Sequence, residues 1–95
     1  MSKIYIAGKI TNLSNYKQYF NEVETDLINQ GHVVMNPAKL GEGFPYTAYM
    51  PICLAMIEAC DTICMLSNYK DSKGAQVELA YTRLQGKNII YQEKM

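Results

Sequence analysis

Apolar positions along this chain switch back and forth between two spacings. The run KIYIAG (residues 3–8) is short, rich in β-branched and aromatic side chains, and ended by a glycine, which predicts a first strand. The loop KITNLSN follows, with Ser14 and Asn15 as capping-type residues. Tyr16, Tyr19, Phe20, Val23 and Leu27 then recur at helical spacing as far as Gln30, and Gly31 supplies the stop. HVVMNP (32–37) predicts a second strand broken by Pro37, and AKLGEGFPYTAY (38–49) a loop bearing glycine and proline. A second helix is expected from about Tyr49 to Ala59, with Pro51 in its first turn, where a missing N–H costs nothing. DTICML (61–66) reads as a third strand and SNYKDSKG (67–74) as a loop. Val77, Ala80, Tyr81 and Leu84 form the apolar stripe of a third helix stopped at Gly86, and KNIIYQ (87–92) closes as a fourth strand. Met50, Met56 and Met65 sit in apolar runs and read as core.

Strands alternating with helices predict an α/β domain with a parallel sheet, helices on both faces and right-handed crossovers. The expected strand order is 2-1-3-4, a shortened flavodoxin-like sheet spanning residues 1–95 as one domain. Ligands of such sheets bind beyond the carboxyl ends of the strands where the order reverses, here between the first and third strands. That rule brings the loop at residues 8–15 beside the loop at residues 67–74.

Composition narrows the partners. With 95 residues, 48% hydrophobic and 19% charged, the chain is one small globular domain. Nine basic and nine acidic residues cancel, which argues against nucleic-acid binding driven by clustered Lys and Arg. Near-neutrality also removes charge repulsion between copies and favours a homo-oligomer, a dimer or larger. Cys53, Cys60 and Cys64 form no C-x-x-C pair, and the single histidine, His32, is distant in sequence. Reduced thiols packed as small hydrophobes are therefore expected, with no metal and no cofactor. The apolar run at the N-terminus is too short for a secretory segment or a membrane span, so the expected setting is the cytoplasm, without membrane attachment.

The stretch DSKGAQVELA (71–80) carries the candidate chemistry. Side chains on a helix lean toward its N-terminus, so Glu78 overlies the turn containing Gly74, and a glycine there leaves room for a ligand. The alternative is that Gly74 eases entry into the helix and Glu78 is solvated or ion-paired. Ser72 is a helix cap in one reading and a phosphate contact in the other, since the start of a helix attracts anions. Gly8 and Lys9, after the first strand, are candidate ligand contacts, although Gly8 also serves a turn. Tyr5 is either core or, in a ligand crevice, a hydroxyl that orients a carboxylate. Asn36, Pro37, Asp61 and His32 read as structural, and Tyr46 and Tyr49 as packing residues that could also stack on a planar ring.

Four segments in this order and spacing, IYIAGKI (4–10), GHVVMNPA (31–38), ACDTICML (59–66) and SKGAQVELA (72–80), resemble the nucleoside 2-deoxyribosyltransferase-like superfamily. More narrowly they resemble its short, uncharacterised members in bacteria and phages. The resemblance implies a pocket for a small-molecule nucleoside or nucleotide and a glutamate nucleophile that attacks the anomeric carbon of a deoxyribose. Glu78 matches that glutamate, Tyr5 the tyrosine that orients it, and Ser72 the serine that binds a 5′-phosphate, often across a subunit interface. Two positions depart. Cys53 stands where the superfamily carries an aspartate that contacts the sugar and assists proton transfer, and Thr11 lies where a phosphate-binding arginine is expected. The implied activity is cleavage or transfer at the N-glycosidic bond of a 2′-deoxynucleotide. The rival, favoured by Cys53, is a non-catalytic binder that senses or sequesters a nucleotide signal, as a phage counter-defence protein would.

Overall fold

The first strand, β1 (Lys3–Ala7), is buried from Ile4 to Ala7 because it lies between two partners. The computed structural model describes residues 1–92. In it β2 (Val33–Met35) pairs with one edge of β1 and β3 (Thr62–Met65) with the other, and β4 (Asn88–Tyr91) pairs with β3. All pairs are parallel, as the strand–helix alternation predicts, and the order β2-β1-β3-β4 is that expected of a shortened flavodoxin-like sheet. The registers place Ile4, Ile6 and Cys64 on one face of the sheet and Tyr5, Ala7, Ile63 and Met65 on the other.

Three helices cover these faces: α1 (Tyr16–Asn29), α2 (Tyr46–Glu58) and α3 (Lys73–Leu84). Tyr19, Phe20, Val23 and Leu27 of α1 pack on Ile4, Ile6, Cys64 and Leu66. Cys53 and Ile57 of α2 join Ala75 and Leu79 of α3 against Tyr5, Ala7, Ile63 and Met65. Right-handed crossovers account for this division. The connection from β1 to β2 runs opposite to the other two, so its helix falls on the opposite face.

Two sequence expectations need correction. Helix α2 starts at Tyr46, not Tyr49, so Pro51 lies inside it. The lost hydrogen bond falls on the exposed side, where Thr47 and Pro51 both face solvent and water can serve the freed carbonyl. The expected stripe of α3 is also inverted. Val77 and Leu84 are exposed, and the buried face is Ala75, Glu78, Leu79 and Thr82. Thr82 can be buried because its hydroxyl donates to the Glu78 carbonyl at 2.8 Å.

The residues read as structural find structural partners. Asn36 accepts from the Ala38 amide at 2.9 Å and donates to Asn21 and Glu24 of α1, which ties the end of β2 to that helix. Asp61 accepts from the Lys3 amide and the Thr62 hydroxyl, and His32 accepts from the Ser2 amide. Among the described residues no helix is long and apolar enough to cross a membrane.

Candidate functional site

Beyond the carboxyl ends of β1 and β3 lies a cleft of about 730 Å³, walled by the loops after β1, β2 and β3. Its floor is Tyr5, Ala7, Cys53, Ala75 and Glu78. The size suits a drug-sized or nucleotide-sized ligand.

Glu78 comes from the second turn of α3 and is only 7% exposed. The helix turns it toward the sheet, where the Tyr5 hydroxyl donates to its Oε2 at 3.0 Å. Burial pushes the Glu78 carboxyl up to about 7, against hydrogen bonds from Tyr5 and Cys53 that pull it down. The same burial, with the charge of Glu78 beside it, holds the Tyr5 hydroxyl well above its ordinary value. Cys53, brought in by α2, is raised mainly by burial and is a free thiol. The floor is thus one carboxyl balanced near neutrality and two groups that hold their protons. A carboxyl so placed can act as a nucleophile or a base around pH 7.

The walls come from the loops. Lys9 joins two of them: its amide donates to Asn68 Oδ1 at 3.0 Å and its ammonium to the Asp71 carbonyl at 3.3 Å. Ser72 caps α3, its hydroxyl oxygen accepting from the Ala75 amide at 3.1 Å, and it also lines the cleft with Lys73 and Gly74. Capping uses the oxygen as an acceptor and leaves the hydroxyl hydrogen for another partner.

The two glycines have different reasons. A Cβ on Gly8 would lie 2.6 Å from Leu66 Cδ1, so this glycine is required by packing against a fully buried leucine. A Cβ on Gly74 would lie 3.2 Å from Tyr46 Cε1. The space beside Gly74, read from the sequence as room for a ligand, is therefore taken by the Tyr46 ring, because α2 begins one turn early. Both glycines still line the cleft.

The segment between β2 and α2, where the sequence reading offered only Tyr46 and Tyr49 beyond it as residues that could stack on a ring, walls one side of the cleft. Tyr49 donates to the Gly41 carbonyl, accepts from the Phe44 amide and packs edge-on against the Phe44 ring at 6.0 Å between centroids. Glu42 is pinned to Lys17 of α1 at 2.6 Å. Phe44, Tyr46 and Tyr49 thereby present an aromatic wall to the cleft. The signal was the density of aromatic residues in GFPYTAY. Among the described residues no three His, Cys, Asp or Glu side chains gather as metal ligands.

No curated protein matches the chain. Among solved structures, a 2-deoxyribosyltransferase from the psychrotolerant bacterium Bacillus psychrosaccharolyticus matches with a TM-score of 0.73 at 23% sequence identity. The match covers 98% of this chain and 75% of that one. The two share a fold, in agreement with the resemblance drawn from the sequence. A family described as a domain of unknown function, DUF4406, matches residues 2–91.

Proposed function

The chain belongs to the DUF4406 family, and we propose that within it this protein binds a nucleoside or nucleotide and cleaves or transfers at its N-glycosidic bond. The observation that carries the reading is Glu78 itself, a buried carboxyl on the cleft floor, held by Tyr5 at 3.0 Å. Ionised Glu78 attacks C1′ of the sugar while the C1′–N bond breaks and its electron pair leaves on the base. The attack passes through an oxocarbenium-like state that the adjacent anion stabilises. Water or a second base then opens the glycosyl ester and frees the carboxylate. Tyr5 aims the carboxylate and stays protonated throughout. Ser72, Lys73 and Lys9 sit at the rim where a 5′-phosphate would lie, with Thr11 in place of a fixed cationic clamp.

Two further points accompany this reading. Free Cys53, Cys60 and Cys64 suit a reducing compartment such as the cytoplasm. Ile52 of α2 with Val77 and Leu84 of α3 are exposed on one helical layer, and a second copy of the chain would cover them. Light scattering at micromolar concentration should give the mass of a dimer or larger; a monomeric mass removes the shared-site role for Ser72.

The second reading, a binder without turnover, is favoured by Cys53 alone, since a thiol made less acidic by burial is a poor proton donor. Incubating the protein with a panel of deoxynucleotides and ADP-ribose-type nucleotides separates the two. Free base, lost in Glu78→Gln, supports the enzyme. Ligand retained without release supports the binder.

A further inference from the structure

The proposed reaction leaves one proton unaccounted for. When a neutral purine or pyrimidine departs from C1′, its ring nitrogen takes the bond's electron pair and must be protonated. The groups facing Glu78 are Tyr5 from β1 and Cys53 and Tyr46 from α2. Each is a phenol or a thiol, and burial makes each a weaker acid than usual. General acids work best with a pKa near the working pH, so none of the three suits the task. Among the described residues the other acidic side chains of the cleft, Glu42 and Asp71, are exposed, and Glu42 is paired with Lys17. Glu78 cannot serve, because it must be ionised to attack.

The wall supplies a second, independent observation. Phe44, Tyr46 and Tyr49 offer aromatic faces and edges in one cleft with the Glu78 carboxyl. The cations that line the cleft, Lys9 and Lys73, belong to the loops at its rim, where a phosphate would lie, and the Lys9 ammonium already donates to the Asp71 carbonyl at 3.3 Å. Aromatic faces beside a carboxylate attract a flat cation.

We propose that the cleft selects N-glycosides whose base already carries a positive charge, such as a pyridinium or an N7-alkylated purine, because among the described residues its floor joins a nucleophile to an aromatic wall without a second carboxyl or an imidazole to act as general acid. This rests on the glycosidic reading above and names its substrate class. The step then balances without a proton. Glu78 Oε bonds to C1′, the C1′–N⁺ bond breaks, and its electron pair neutralises the ring, which leaves as a neutral molecule. Water attacks C1′ in the second step, the ester bond returns its pair to Glu78, and the water proton passes to solvent.

The test compares dGMP with N7-methyl-dGMP, which share sugar and phosphate and differ in the charge on the base, with nicotinamide mononucleotide as the pyridinium case. Free base is followed by chromatography at pH 6, where N7-methylguanine keeps its N1 proton and its positive charge, with the native protein, and spontaneous loss from each compound is subtracted. General acid help is worth about 10²–10⁴-fold, so kcat/KM for N7-methyl-dGMP should exceed that for dGMP by at least about 100-fold. The rate on nicotinamide mononucleotide, whose pyridinium charge does not titrate, should rise through about pH 7 as Glu78 ionises and then stay level. Comparable rates on dGMP and N7-methyl-dGMP, or a nicotinamide mononucleotide rate that falls again on the alkaline side, would overturn the substrate class while leaving the glycosidic reading intact. No enzyme-dependent release from any of the three overturns both.

Discussion

Replacing Glu78 by glutamine should stabilise the protein while removing its chemistry. The native carboxyl, ordinarily near 4.5, is raised to about 7 by burial. The folded state therefore keeps its proton after the unfolded chain has released it, and rising pH favours unfolding through that window. At about 1.4 kcal/mol for each pKa unit, the ionised carboxylate costs the fold about 3 kcal/mol above pH 8, and nothing below about pH 4, where both states are protonated. Glutamine keeps the shape and an oxygen for Tyr5 to donate to, but never ionises. Urea titrations of both proteins from pH 4 to 9 isolate the effect, because every other titrating group is common to both. The expected curve is a gap that opens between about pH 4.5 and 7 and levels near 3 kcal/mol, with the glutamine variant more stable and the urea slope unchanged. A gap independent of pH, or a native protein more stable than the variant at pH 8, refutes the account of Glu78 as a buried carboxyl. Base release should be lost in the variant throughout.

Tyr5→Phe keeps the buried ring but removes the hydroxyl that lowers the Glu78 carboxyl. The ascending limb of the pH–rate profile should therefore move to the alkaline side of its native position; an unmoved limb denies Tyr5 its positioning role. Gly8→Ala forces a Cβ to within 2.6 Å of Leu66 Cδ1, and overpacking of this kind should cost about 1–3 kcal/mol, measured as a lower urea midpoint. Cys53→Asp places a second carboxyl beside Glu78, and repulsion keeps one of the pair protonated as an acid. Release of neutral bases from deoxynucleotides should then rise, by up to about 10²–10⁴-fold, at some loss of stability. A folded Cys53→Asp variant that binds nucleotide yet releases no base would favour the non-catalytic binder.

The order 2-1-3-4 was expected from likeness to flavodoxin-like sheets, whereas the parallel sheet was legible because alternation and handedness, which do not fix the order, depend on local pattern alone. The α1 face was legible for the same reason: Tyr19, Phe20, Val23 and Leu27 are apolar, periodic and buried. Helix α3 was not, because its inward face is partly polar. Glu78 is matched by Tyr5 on the first strand, and Thr82 by a carbonyl one turn back. Hydropathy ranks Val77 and Leu84 above both and turns the helix around. The start of α2 was hidden because nearly every residue from Tyr46 to Ile57 is apolar or small, so no phase stands out, and Pro51 drew the boundary toward itself. At the site, the residues alone left Tyr5, Ser72 and Glu78 open to structural readings and the family resemblance singled them out; the fold gathers all three at one cleft. The reason for Gly8 was not legible, since it lies in a leucine far along the chain.

The hydrogen bond between Tyr5 and Glu78 closes a separation of 73 residues, and that length governs when the cleft can exist during synthesis. β1 leaves the ribosome ahead of both strands that flank it, and its buried residues have no complete set of partners until β3 and α3 have followed. Contacts so distant are slow to form, because loop closure comes before any gain from them. A nascent chain halted before α3 therefore carries Tyr5 without its carboxylate. The face that α3 shares with α2 would lack part of its cover, exposing apolar strand residues that chaperones and misassembly both exploit. The cleft and the finished fold arrive together.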